Sequence, residues 1–173
     1  LICILNKRRE LIDVLLKILL AALVVESVYT VWMLYYNSGR YNAIDDIVYY
    51  IKFFAGNKNI LAASIAVKIP IAFYFLHQSK TRNEILCYCG ILLFAISATI
   101  ILNARATYIS VFLQSALFIG YEILNYFKKE KNKSHLIKAG SFLAVFVFAV
   151  LVFQIVFSQL EKSKKTVSYG DIN

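Results

Sequence analysis

Charged residues are scarce in this sequence. They make up 17% of its 173 residues, against about 25% in a typical soluble domain. Hydrophobic residues make up 60% of the chain, which is more apolar surface than a small water-soluble core can bury. Intrinsic disorder is also excluded, because disordered chains are poor in aromatic and branched apolar residues. The composition therefore predicts a polytopic membrane protein.

The patterns of soluble enzymes and metal sites are missing as well. The segment Cys87-Tyr88-Cys89 lacks the two-residue gap and the paired second half of a zinc site. No carboxylate or cysteine accompanies His77 or His135 at ligand spacing in the sequence. No glycine-rich phosphate loop and no Ser/His/Asp set can be assigned. We therefore expect no metal ion and no cofactor.

Five apolar segments are long enough to cross a bilayer, which takes about 20 residues. Most of each segment is apolar on all sides, unlike the alternating strands of transmembrane barrels. In lipid, every backbone amide must find its partner within its own segment, so these segments are predicted to be helices. The predicted fold class is an all-α, polytopic transmembrane helix bundle, with spans at about 11–36, 60–77, 85–103, 107–127 and 136–158.

The basic residues predict how the bundle is oriented. One set of connections holds eleven lysines and arginines and the opposite set holds seven, so the positive-inside rule places the first set in the cytoplasm. Residues 37–59, the turn around Arg105 and residues 159–173 then face outward, the last of these as the start of a periplasmic loop. The net charge of +9 does not indicate a nucleic-acid partner, because the basic residues fall in short clusters between apolar runs. The eleven are Lys7, Arg8, Arg9, Lys17, Lys80, Arg82, Lys128, Lys129, Lys131, Lys133 and Lys138.

The outward connection contains a short amphipathic stretch. Its apolar residues recur at helical spacing, with acidic and basic residues on the other face. We predict a helix over 43–54, with Asn42 as its N-cap and Gly56 at its end. This helix either lies in the outer membrane interface or packs on the bundle as an ordinary connection. The apolar positions are Ile44, Ile47, Val48, Ile51 and Phe54.

The chain begins at Leu1 rather than at a methionine, and residues 1–5 read as the tail of an earlier apolar segment. Its last stretch turns polar without a capping signal. We expect the sequence to be an internal piece of a longer membrane protein.

Glu26, Lys68 and Glu122 are charged residues inside predicted spans. With a rise of 1.5 Å per residue, Glu26 lies roughly 15 Å and Lys68 about 12 Å below the outer ends of their helices. These similar depths predict a structural ion pair, which would lower the cost of burying either charge. A substrate or proton pathway is the alternative. Glu122 lies nearer the cytoplasmic end and is predicted to be a boundary residue that reaches toward Lys128 and Lys129.

Arg105 stands in a tight turn between two long apolar spans, within Asn103-Ala104-Arg105-Ala106-Thr107. The planar guanidinium group carries several N–H donors and can hold a phosphate through two parallel hydrogen bonds. Arg105 is therefore a candidate for binding the phosphates of a lipid-linked donor. The alternative is an arginine that reaches lipid headgroups without a specific role. Arg40 and Lys58 either draw an anionic headgroup to the outer surface or are ordinary solvated charges.

Two stretches of the sequence resemble one known family. The segment 56–63, Gly-Asn-Lys-Asn-Ile-Leu-Ala-Ala, followed by Lys68-Ile69-Pro70, is similar to a "G-N-x-N-[IL]-x-A … P" motif of the O-antigen ligase and polymerase family. Residues 94–105 resemble the span of that family that ends in a "[ST]-x-[SN]-R-[AG]" turn. Ala104 stands where the family often has serine. The resemblance covers roughly residues 50–158.

The resemblance implies a multi-pass glycosyltransferase of the bacterial inner membrane. Such enzymes take a glycan from an undecaprenyl-diphosphate carrier at the periplasmic face and pass it to lipid A–core, to a growing polysaccharide or to a protein, without a metal. Arg105 matches the arginine implied to hold the pyrophosphate. The histidine implied to act as general base would lie in a loop beyond Asn173, so residues 1–173 alone are expected to be inactive. The other classes that we consider are a transporter or flippase, with Glu26 and Lys68 lining a pathway, and a non-catalytic membrane module.

Overall fold

A computed structural model describes residues 9–40, 44–128 and 133–170 of the chain. These residues form six α-helices and one short 3-10 helix, and they contain no strand, as the all-α prediction requires. Connections of three or four residues join the last four long helices, so that neighbours along the chain run antiparallel there. The elements are α1 (Arg9–Ser38), α2 (Ile44–Tyr49), the 3-10 helix (Phe53–Ala55), α3 (Lys58–Gln78), α4 (Arg82–Ile101), α5 (Arg105–Lys128) and α6 (Lys133–Gly170).

Within the described residues, four helices are long and apolar enough to cross a membrane, namely α3, α4, α5 and the Lys133–Ile155 part of α6. Each starts within three residues of the start predicted from the apolar runs. The remaining predicted span, 11–36, lies within α1, a helix of 30 residues. The assignment of α1 as a fifth membrane span stays a prediction. We call the end of the bundle at residues 79–81 its inner end and the end at residues 102–104 its outer end, after the predicted orientation.

The segment after residue 158 differs from the prediction. Residues 159–170 continue helix α6, which is 38 residues long, rather than starting a loop. At 1.5 Å per residue a helix of this length exceeds the hydrocarbon thickness of a bilayer, about 30 Å. The change from apolar to polar sequence therefore does not mark the end of the helix.

The outer connection is shorter and more broken than the predicted helix over 43–54. Helix α2 covers six residues and the 3-10 helix three, while the predicted N-cap, Asn42, lies outside the described residues. Ile47 and Ile51 are fully buried, and the Asn37 side-chain amide donates a hydrogen bond to the Ile47 carbonyl oxygen over 3.3 Å. These contacts fit a connection packed on the bundle. Gly56 ends the 3-10 helix with a φ of 66°, in the left-handed region that glycine adopts without steric cost.

Helices α3, α5 and α6 meet in layers. Phe73 of α3 stacks on Phe118 of α5 with ring centroids 4.6 Å apart, and the ring of Phe142 from α6 packs edge-on against both. Four residues further toward the inner end on each helix, His77 of α3 lies level with Glu122 of α5. Helices α3 and α5 therefore run in the same direction and α6 runs against them. This register positions the inner site described below.

Candidate functional site

The turn that carries Arg105 is held by local hydrogen bonds. Helix α4 ends at Ile101 and α5 begins at Arg105, while Asn103 adopts a φ of 50°, a region that asparagine tolerates better than most residues. The Tyr108 hydroxyl lies 2.9 Å from the Ile100 carbonyl oxygen and 3.0 Å from Asn103 Oδ1. Tyr108 thus ties the end of α4 to the first turn of α5.

Arg105 itself is exposed at the start of α5. In the described part of the chain, its guanidinium makes no hydrogen bond and no ion pair. It shares this end of the helix with the first backbone N–H groups of α5, whose partial positive charge favours an anion. The outer end of α5 thus combines a free cation with a helix N-terminus, and the buried Ala104 lies beside it.

An apolar groove lies directly below this turn, between α4, α5 and α6. Its volume is about 380 Å³. Arg105, Tyr108 and Phe112 stand at positions i, i+3 and i+7 of α5, so they share one helix face. Arg105 therefore stands one turn beyond the groove-lining Tyr108 toward the outer end, on the same helix face. The walls are formed by Ile96, Thr99, Ile100, Tyr108, Val111, Phe112, Phe146, Val150, Phe153 and Gln154.

Arg40 and Lys58, the other two predicted binding cations, have separate surroundings. The Arg40 guanidinium lies 3.9 Å from the centroid of the Tyr36 ring. Lys58 lines a small polar pocket of about 220 Å³ together with Lys52 and Asn57. Across the residues that the structure describes, no hydrogen bond connects either of them with Arg105. Their part in binding stays a prediction.

The structure brings together the two charges that the sequence predicts to pair. Lys68 Nζ lies 2.7 Å from Glu26 Oε1 and 2.8 Å from Oε2. Ser64, one turn before Lys68, accepts a hydrogen bond from Lys68 Nζ over 2.6 Å and donates to the Glu26 carboxylate over 3.1 Å. Both charged side chains are 14% exposed. The three groups satisfy one another and join α1 to α3.

A second polar cluster, at the inner end, joins three helices. The Glu122 carboxylate on α5 is fully buried. His77 Nδ1 on α3 lies 2.7 Å from Glu122 Oε1, and His135 Nδ1 on α6 lies 2.6 Å from Oε2. The two imidazole rings stack with centroids 5.8 Å apart. Lys138 Nζ donates a hydrogen bond to the His77 carbonyl oxygen over 2.5 Å, at the last turn of α3.

The prediction for Glu122 was therefore wrong. No carboxylate stands at ligand spacing from either histidine in the sequence, but the fold brings Glu122 to both. Glu122 turns into the bundle rather than toward Lys128, because a buried carboxylate needs hydrogen-bond donors that the interior supplies. Depth along the helices did not indicate this cluster. Glu122 lies six residues before the end of α5, roughly 9 Å inside it, whereas His77 is the second-last residue of α3 and His135 the third residue of α6.

Among the described residues, the fold and these clusters define a helical membrane protein with a part-buried ion pair, a buried Glu122–histidine cluster and an exposed arginine on a helix face that lines an apolar groove. Comparisons with protein-family models, curated proteins and solved structures found no significant match to this chain. The resemblance to O-antigen ligases and polymerases stays a hypothesis that rests on the two sequence stretches.

Proposed function

We propose that this chain belongs to a membrane glycosyltransferase of the O-antigen ligase and polymerase type. In this proposal, the protein binds a glycan carried on undecaprenyl diphosphate and transfers it at the outer face to lipid A–core or to a growing polysaccharide. The observation that carries the proposal is that Arg105 stands one turn outward from Tyr108, on the face of α5 that lines an apolar groove. An isoprenoid diphosphate has the matching chemistry, with an apolar chain and an anionic head.

Arg105 has a defined role in this mechanism. When the glycosidic bond to the carrier breaks, negative charge builds up on the diphosphate leaving group. A fixed cation at that position stabilises the charge as it develops and lowers the barrier. The free N–H groups at the start of α5 act in the same direction. Tyr108 holds the turn, so the backbone that carries Arg105 is in place before the donor binds.

The first experiment measures donor binding with the full-length protein in lipid nanodiscs. A photoreactive undecaprenyl diphosphate is the probe. Arg105→Gln removes charge-assisted hydrogen bonds, each of which contributes about 1.5–3 kcal/mol, so we expect the apparent affinity to fall about 10- to 100-fold. Arg82→Gln is the matched control, because Arg82 is the first residue of α4 at the opposite end of the bundle. This control should bind like the wild type.

Competition identifies what the groove recognises. Undecaprenyl diphosphate should displace the probe, whereas undecaprenol, which lacks phosphate, and phosphatidylglycerol, which lacks the isoprenoid chain, should compete poorly. In cells, Arg105→Ala should abolish glycan transfer while membrane insertion stays normal. Equal binding by Arg105→Gln, or transfer by Arg105→Ala at the wild-type rate, contradicts the proposal.

A transporter or flippase is the second candidate, and one observation favours it. Lys68 and Ser64 line an open, mainly apolar groove of about 390 Å³, so the polar cluster on α3 borders a space that a lipid can enter. A flippase moves a lipid-linked glycan across proteoliposome membranes, and Lys68→Met should stop that movement. Movement that survives in Arg105→Gln and is lost in Lys68→Met would favour transport over transfer.

A further inference from the structure

We propose that His77, Glu122 and His135 form a binding site for a divalent transition-metal ion of the zinc class at the inner end of the bundle. The site would join helices α3, α5 and α6. This inference does not depend on the proposed glycosyltransferase function, because the cluster lies at the opposite end of the bundle from Arg105.

The geometry gathers three metal-binding groups at one point. One ligand atom from each residue lies within 4.8 Å of the other two. Both imidazoles direct the same nitrogen, Nδ1, at the same carboxylate, and that carboxylate is fully buried. Zinc bonds to histidine nitrogen and carboxylate oxygen are about 2.0–2.2 Å long. Side-chain shifts on the order of 1 Å would therefore admit an ion between the three groups.

The donor set selects the class of metal. Imidazole nitrogen suits zinc, copper and nickel, whereas calcium and magnesium prefer oxygen ligands. Two histidines and one glutamate are also the protein ligands of many zinc sites that keep a fourth position open for water. No cysteine belongs to the cluster, so a site built on thiolates is not the one proposed.

The charges around the cluster are compatible with a bound cation. Glu122 is the acidic member, and its side chain has no exposed surface at which water could hydrate its charge. Lys138 is the basic group beside it, and its Nζ contacts the His77 carbonyl oxygen, where the negative end of the α3 dipole stabilises a cation. The Lys138 charge is thus offset in part by the helix end, and Glu122 remains available to a metal.

Metal binding at this site requires no net change in protons when both histidines are neutral. Each imidazole that now directs an N–H toward Glu122 would carry its proton on Nε2 instead, which frees the Nδ1 lone pair for the metal. The ion would then take the place of the two hydrogen bonds that now join the three helices. Metal binding should therefore stabilise the packing of α3, α5 and α6.

The test is a titration of the full-length protein, purified in detergent without a histidine tag and stripped with a chelator. Co²⁺ is the probe, because a tetrahedral site gives it strong visible absorption, and Zn²⁺ is the competitor. We expect one Co²⁺ per chain, displaced by one Zn²⁺, together with a rise in the midpoint of thermal unfolding. If Co²⁺ does not bind saturably, or if Zn²⁺ leaves the unfolding midpoint unchanged, the proposal is overturned.

Variants locate the ion. Mutation of a group that only hydrogen-bonds to a metal ligand lowers the metal affinity 10- to 100-fold. Glu122→Gln and His135→Gln remove ligands themselves, so each should lower the Co²⁺ affinity at least about 100-fold. His77→Gln tests the same site with less disturbance, because the His77 side chain is 26% exposed. Glu10→Gln is the matched control, since Glu10 is an exposed carboxylate at the start of α1. Wild-type affinity in His77→Gln, or an equal loss in Glu10→Gln, overturns the proposal.

Discussion

The ion pair between α1 and α3 offers a quantitative test of how this bundle is held together. Lys68→Met keeps the length of the side chain and removes its charge, which leaves Glu26 in a mainly apolar setting with Ser64 as its remaining hydrogen-bond donor. Removing one partner of a buried ion pair lowers the free energy of unfolding by about 3–5 kcal/mol. Because both side chains are 14% exposed, some water reaches the pair. We therefore expect Lys68→Met to lower the free energy of unfolding by an amount near the lower end of this range, about 3 kcal/mol.

A double-mutant cycle separates the pair from the other effects of the substitutions. The double variant Glu26→Gln/Lys68→Met buries no unpaired charge, so it should be less destabilised than the sum of the two single variants, with a coupling energy of about 2 kcal/mol. Equilibrium unfolding with SDS in mixed micelles measures all four proteins. A coupling energy below about 0.5 kcal/mol would refute the reasoning, because residues that do not interact are additive within that range.

Two further predictions concern the packing of the bundle and the start of one helix. Phe142→Ala empties the centre of the aromatic layer, where Phe142 is fully buried, and should lower the free energy of unfolding by about 3–5 kcal/mol. The control is Phe148→Ala, at a 55% exposed position of the same helix, which should lower it much less in the same SDS unfolding assay. Thr81→Ala removes the capping box at the start of α4 and should cost about 0.5–2 kcal/mol, measured as a lower midpoint of thermal unfolding. A Phe142→Ala loss no larger than that of Phe148→Ala would contradict the layered core, and an unchanged Thr81→Ala midpoint would contradict the cap.

The helices were predictable from sequence because lipid restricts the backbone to few solutions. An apolar run of about 20 residues in lipid has to be helical, so the apolar runs predicted the bounds of α3, α4 and α5 to within three residues. The pairing of Glu26 with Lys68 was predictable for a related reason. Two opposite charges at the same depth in adjacent antiparallel helices have few other partners.

Glu122 shows where such reasoning fails when it considers only neighbours along the chain. The nearby Lys128 suggested a partner on the same helix, but the actual partners come from α3 and α6. Which helices meet depends on side-chain packing, here the aromatic layer of Phe73, Phe118 and Phe142, and no single segment encodes that register. The polar part of α6 was missed because helix formation in water-exposed segments does not require an apolar sequence.

The orientation of the bundle is the claim on which the proposed function depends, and labelling of single cysteines tests it most directly. In a variant without the native cysteines, a cysteine replaces Asn103 in the turn beside Arg105, and a second variant carries one in place of the exposed Lys80 at the inner end. A maleimide that cannot cross membranes should label position 103 in intact spheroplasts and position 80 only after the membrane is opened. The reverse pattern would place Arg105 on the cytoplasmic side, where it cannot act on a donor at the outer face.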